Sequence, residues 1–213
     1  MKHFCYRIGA ILILALVATP VTALAWQAQS HIDNVYKSWP AAPDGMGLMA
    51  VAEAEARTIR THAGFMISEG TPLPLIKRHA VHVLHAIDPE LTAGGPGLGF
   101  GLDPAARAIA REMALLTDDP EAPRPLREQA SHVATGAANV MAWCGTLHDL
   151  VVKVVRTSNP DVARKLAVDI NHYAKAILSG LDKDGDGTIG WQPPEGGMAQ
   201  MRAELERLAT AGH

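Results

Sequence analysis

A chain of 213 residues with 19 basic against 22 acidic side chains carries a formal charge of −3, and its Lys and Arg are scattered. That balance excludes the basic footprint of a nucleic-acid binder and of a protein held on an anionic membrane surface. The length suits one domain.

The first 25 residues read as a secretory signal peptide. Lys2 and Arg7 give a positive start, Ile8 to Val21 is almost continuously apolar, and Ala23-Leu24-Ala25 offers a small-x-small cleavage site. The apolar run falls short of the roughly 20 residues a membrane-spanning helix needs. The expectation is export to the periplasm or the medium, with residues 26–213 forming a single domain and no membrane span after cleavage. Cleavage removes Lys2, Arg7 and Cys5, leaving 17 basic against 22 acidic residues (a formal −5) and Cys144 alone. A single cysteine closes no internal disulfide, so the domain must rest on its core.

Residues 26–44 are expected to be irregular, ending in WPAAPDG. A first helix is predicted over residues 47–69, where Met49, Ala52, Ala56, Ile59, Ala63 and Met66 repeat at three-four spacing. Gly70 stops it, and a second helix follows over residues 74–87 with Ile76, Ala80, Val83 and Ile87 on one face. The segment AGGPGLGFG, residues 93–101, is a loop. Its alternating glycines are no phosphate loop, because no strand precedes them and no Gly-Lys-Ser/Thr follows. Asp103 is expected to cap a third helix running to residue 116, with Pro104 in its first turn.

After the linker DDPEAPRP comes the longest pattern in the chain. Leu126, Ala130, Val133, Ala137, Val140, Cys144, Leu147, Val151 and Val154 alternate four and three apart. A stripe of that length must pack against other helices throughout. Asn159-Pro160 ends it, a fifth helix is predicted over residues 161–181, and a last short one over 195–211. No stretch alternates as a strand would. The fold class expected is all-α: an antiparallel helical bundle of about four main helices, with shorter helices beside it.

Between the last two helices lies LDKDGDGTIGWQPPEGG, residues 181–197. Asp182, Asp184 and Asp186 alternate, so their carboxylates turn to one side of a loop. Calcium takes six to eight oxygens, and such a loop supplies them from alternate positions. Gly187 permits the reversal at the sixth position, Thr188 at the seventh offers its carbonyl, and Ile189 at the eighth ties the loop to the core. Gly190 at the ninth leaves room for a water. This segment resembles the EF-hand family of helix–loop–helix calcium proteins, over residues 165–208. The resemblance implies a twelfth residue that grips the ion with two oxygens, and here that position is Pro193. Glu195, two residues on, is the expected replacement. The expected metal ligands are therefore Asp182, Asp184, Asp186, Thr188 and Glu195, and the expected cofactor is one Ca2+. EF-hands usually pair, and no partner loop is present, so the site reads as structural, with a Kd of about 10⁻⁴–10⁻³ M.

Nine histidines remain after the leader. His79, His82 and His85 spiral around one helix and cannot all serve one ion; with Ala80 pointing to the core, His82 and His85 are expected to face away from it. An alternative reading places a transition metal or haem inside the bundle on His62, His79, His148 and His172, with Glu55 or Asp169. Met141 and Cys144 are soft neighbours of His148, although both types fill helical cores readily. No HExxH, no CxxCH and no GxSxG occurs, and Ser131 and His132 point about 100° apart as successive helical residues. No catalytic constellation emerges, so the chain reads as a non-enzyme, with a partner-binding module as the remaining alternative.

Overall fold

A computed structural model describes residues 21–211. Its seven α-helices, counted among the described residues, are α1 (Val21–Tyr36), α2 (Leu48–Met66), α3 (Leu73–Ile87), α4 (Leu102–Thr117), α5 (Arg124–Arg156), α6 (Pro160–Ser179) and α7 (Met198–Ala211). Single 3₁₀ turns follow α1 and α3, at Pro43–Gly45 and Pro89–Leu91. The described residues form no strand. The fold class is all-helical, as the periodicity requires.

α5 organises the rest. Its 33 residues span about 50 Å at 1.5 Å per residue. Eight of the nine stripe residues, from Ala130 to Val154, are buried, and Leu126 is partly buried at the helix start. The stripe is covered by α3, α4, α6 and α7. α2 packs on α3, α4 and α6, and α1 lies against α2, α4 and α7. Leu48, Met49, Ile59, Ile76, Leu102, Ile109, Met113, Leu147 and Ile170 are among the residues with no more than 1% of their surface exposed. Each contributes about 1.5–3 kcal/mol by leaving water.

The segment at residues 26–44 is irregular only after Tyr36. α1 occupies it to Tyr36, burying Ala28, Ile32 and Val35. A four-three spacing is present there, but for only three residues, embedded in polar neighbours. A second tie is polar: His31 Nδ1 and Asn34 Nδ2 both meet Glu112 Oε2 of α4 at 2.8 Å. The expected leader concerns residues 1–25, of which 1–20 lie outside the described residues. α1 begins at Val21 and so runs through the expected cleavage position. Among the described residues, no helix is long and apolar enough to cross a membrane.

Two caps differ from expectation. α4 begins at Leu102 with Gly101 as its cap, and Asp103 sits in the first turn, bonded to Arg107 Nε at 2.7 Å. Asn159 starts a helix rather than merely ending one: its Oδ1 accepts from the amides of Asp161 and Val162 at 2.9 and 3.3 Å. That satisfies two of the unpaired donors at the α6 N-terminus.

Candidate functional site: the acidic loop and the histidines

α6 ends at Ser179, and Gly180 turns the chain with φ 81°. A side chain there would meet Ile189 Cγ2 at 2.6 Å and the Glu195 carbonyl at 2.7 Å. The two ends of the loop are therefore drawn together at a residue without a Cβ. The Leu181 amide donates to the same Glu195 carbonyl at 2.9 Å. Ile189 is half-buried against Gly180 and is not among the side chains packed on the core, so its expected tie to the core is replaced by a contact within the loop.

Inside the loop, carboxylates accept from the backbone ahead of them. Asp182 Oδ1 accepts from the Gly185 amide at 2.7 Å and Oδ2 from the Gly187 amide at 3.0 Å. Asp184 Oδ1 accepts from the Asp186 amide at 3.2 Å. Gly185 and Gly187, with φ of 77° and 85°, supply the left-handed turns. These bonds fold the segment into a ring around the Asp182 and Asp184 carboxylates.

Glu195 reaches this ring. Ligand oxygens of Asp182, Asp184 and Glu195 all lie within 4.8 Å of one another. Two prolines, Pro193 and Pro194, separate Glu195 from the turn, and the Glu195 amide bonds back to the Gln192 carbonyl at 2.8 Å. The two aspartates are exposed, whereas Glu195 is 2% exposed. Its Oε2 accepts from the Gly190 amide at 2.7 Å. Gln192 Nε2 bridges Glu195 Oε1 at 3.2 Å and Asp184 Oδ2 at 2.9 Å. One neutral amide thus stands between two carboxylates and lessens their repulsion, the task a cation performs more strongly.

Asp186 lies outside the convergent trio. Its Oδ1 accepts from the Thr188 hydroxyl at 2.6 Å and the Thr188 amide at 2.7 Å. Those bonds, the hydroxyl first, hold its carboxyl below the usual range. Oδ2 remains for other duty. Thr188 is exposed and its side chain is committed to Asp186, so only its carbonyl is a candidate ligand.

The loop is clamped onto α5. Asn139 Nδ2 donates to the Gly196 carbonyl at 3.0 Å in a buried position. Trp191 stacks on His132, with ring centroids 5.0 Å apart. Gly136 lies against Met201 so closely that a side chain there would overlap it.

The histidines sort differently from the sequence expectation. His148 stands at 3.2 Å from Asp149 on its own helix, and His172 is exposed beside Tyr173. Neither joins His62. Asp169 is exposed on α6, Met141 and Cys144 line a small pocket with His148, and Cys144 is buried. Glu55 is not a ligand of His62 either. Its Oε1 accepts from the amides of Leu98, Phe100 and Gly101 at 3.0, 3.2 and 3.2 Å, anchoring the glycine-rich loop.

His62 and His79 do converge, and His82 completes the group. His62 Nδ1 lies 3.1 Å from His79 Nδ1 and 3.4 Å from His82 Nδ1. His82 therefore turns toward α2, not away from its packing partners. Residues three apart on a helix are neighbours on its surface, and α2 supplies the third ring. His85 goes elsewhere, with Nδ1 3.2 Å from the Thr92 carbonyl. Burial first, then the charges that His82 and His79 would carry, push the His62 pKa down to about 4. Burial likewise lowers His79 and His82, with Arg78 adding to both.

No protein-family model matches the chain, and no characterised protein or solved structure is significantly similar to it.

Proposed function

We propose that this protein binds one calcium ion in the loop 182–195, and that the ion staples α6 to α7 in an exported, antiparallel helical bundle. The role is binding rather than catalysis. The observation that carries the reading is the reach of Glu195, whose buried carboxylate lies within 4.8 Å of the Asp182 and Asp184 oxygens despite the two prolines before it. Three carboxylates gathered this closely repel one another; Gln192 and the loop amides offset part of that repulsion, and a cation would offset more of it. Oxygen-only ligation of this kind favours a hard ion. Asp186 Oδ2 and the Thr188 carbonyl would complete the protein's share of the shell, with water filling the rest. Support for the bundle comes from α5, whose full-length stripe is covered by four other helices.

A ligand that binds only the folded state stabilises it by RT ln(1 + [L]/Kd), about 2.7 kcal/mol at a hundredfold excess over Kd. The test is the melting temperature in millimolar CaCl2 against EGTA, with MgCl2 as control. A rise with calcium that Asp182→Asn and Glu195→Gln abolish supports the reading. Superimposable melting curves overturn it.

A further inference from the structure

We infer that His62, His79 and His82 form a second metal site, an all-imidazole site for a late first-row divalent ion of which zinc is the best fit. The inference is independent of the acidic loop.

The distances carry the argument. Zinc binds imidazole nitrogen at about 2.0–2.1 Å, so two nitrogens on one zinc tetrahedron stand about 3.3–3.4 Å apart. His62 Nδ1 stands 3.1 Å from His79 Nδ1 and 3.4 Å from His82 Nδ1. The ligand nitrogens of all three lie within 4.8 Å of one another. One ring nitrogen from each histidine therefore comes within reach of a single ion, with His62 Nδ1 facing both partners, and water or a small anion would complete the tetrahedron.

The chemistry agrees. Two imidazole nitrogens at hydrogen-bond distance share at most one proton between them. His62 Nδ1 faces two such neighbours with only one proton or one lone pair to offer, so in the metal-free protein it cannot make a full hydrogen bond to both. A divalent ion would resolve that conflict by taking a lone pair from each of the three rings. Among the described residues none of the three rings is paired with a carboxylate. Neutral imidazole suits zinc, copper and nickel, and does not suit calcium or magnesium.

The site is also held in place. His79 and His82 come from one face of α3, and His62 from α2, which α3 packs against. Phe65 closes one side, with its ring centroid 5.5 Å from that of His62 and 5.2 Å from that of His79. All three rings are partly exposed, so an ion can enter from solvent.

The experiment uses untagged protein stripped of metal with a chelator and titrated first with Co2+, then with Zn2+. One equivalent of cobalt giving the intense visible bands of a tetrahedral ion, displaced by one equivalent of zinc, is the expected result. Losing a group that merely hydrogen-bonds a metal ligand typically weakens metal binding about 10–100-fold, so losing a direct ligand must cost at least as much. His79→Ala and His82→Ala should each weaken zinc binding by at least that factor, while His172→Ala and Asp182→Asn leave it unchanged. The partly exposed positions of His79 and His82 let both variants fold, which circular dichroism checks. Absence of stoichiometric binding, equal affinity in His82→Ala and the parent, or loss of binding in Asp182→Asn would each overturn the inference.

Discussion

Trp191 lies flat on His132, the two ring planes 2° from parallel. The contact joins the middle of the acidic loop to α5. Glu204 of α7 approaches the same histidine, with Oε1 3.6 Å from His132 Nδ1, and holds Arg207 at 2.7 Å. Loop, long helix and last helix therefore meet at one imidazole, and movement of the loop must be felt by the indole.

Trp191 should accordingly report calcium. In the proposed site an ion would compete with Gln192 Nε2 for the Glu195 and Asp184 oxygens that it bridges. Gln192 is the neighbour of Trp191, so the indole's packing on His132 changes with it. Calcium titration should shift the intrinsic emission, and Trp191→Phe should remove that shift while keeping the thermal stabilisation. A calcium-dependent shift of equal size in Trp191→Phe would place the response at another tryptophan.

Glu55 gives the second prediction. It is buried in α2 and its Oε1 accepts three amides from residues 98–101, while Oε2 has no partner. Gly97, at φ 125°, runs so close to Oε2 that any side chain would collide with it. Hydrogen bonds to a charged group contribute about 1.5–3 kcal/mol, and orphaned buried amides cost about 1–3 kcal/mol. Glu55→Ala should therefore lower stability by about 3 kcal/mol or more in urea unfolding. Gly97→Ala should cost about 1–2 kcal/mol for backbone strain alone, with the collision in addition. A loss below about 0.5 kcal/mol for Glu55→Ala would mean the loop is held without it.

These residues also mark what the sequence reveals. The α5 stripe is legible because nine apolar residues repeat in a region with no competing signal, and burial follows the stripe almost residue by residue. α1 was hidden because Ala28, Ile32 and Val35 repeat over only two turns among polar residues. The turn from Asp182 to Thr188 is legible, because alternating carboxylates and turn glycines coincide there. The position of Glu195 depends on how the chain passes Pro193 and Pro194, which spacing alone does not fix. The histidine triangle is hidden from the sequence for a different reason. Angles on α3 alone send His82 away from the Ala80 direction, but the neighbour that matters is α2, and helix-against-helix packing is not written in either helix. Glu55 hid in plain view: it stands three residues after Ala52 on the buried face, and a buried carboxylate needs donors that only the distant glycine loop provides.

Cys144 should be inert in the folded protein. It sits on the α5 stripe with 1% exposure, and burial pushes its thiol well above the ordinary range, with the Asp103 carboxylate adding to the effect. The thiolate is the reactive form. In a chain beginning at Trp26, Ellman's reagent should find no thiol under native conditions and one per chain in guanidinium. The labelling rate in mild denaturant should then follow the opening of the core. Rapid stoichiometric labelling of native protein would show that α5 exposes its stripe far more often than this packing allows.

The acid limb of stability should depend on Glu53. This α2 carboxylate accepts from Arg202 Nε of α7 at 2.7 Å and from Arg57 at 2.9 Å. Burial raises its pKa, but the bonds and charges of Arg202 and then Arg57 together outweigh that effect, and the net shift is downward. In the unfolded chain the carboxyl titrates near the ordinary Glu value of about 4.3. A group whose folded pKa is depressed binds fewer protons folded than unfolded, so stability rises with pH across the interval between the two values. The contribution is complete above the unfolded pKa and disappears as the pH falls through the lower folded value. Arg202→Ala should remove the larger part of this dependence, making the melting temperature flatter as the pH falls below the ordinary Glu value and lower at neutral pH. Because Arg202 keeps about a third of its side chain in water, solvent screening limits the neutral-pH loss to about 1 kcal/mol. Melting curves of parent and variant that stay parallel throughout that acid range would show that Glu53 is held low by Arg57 alone.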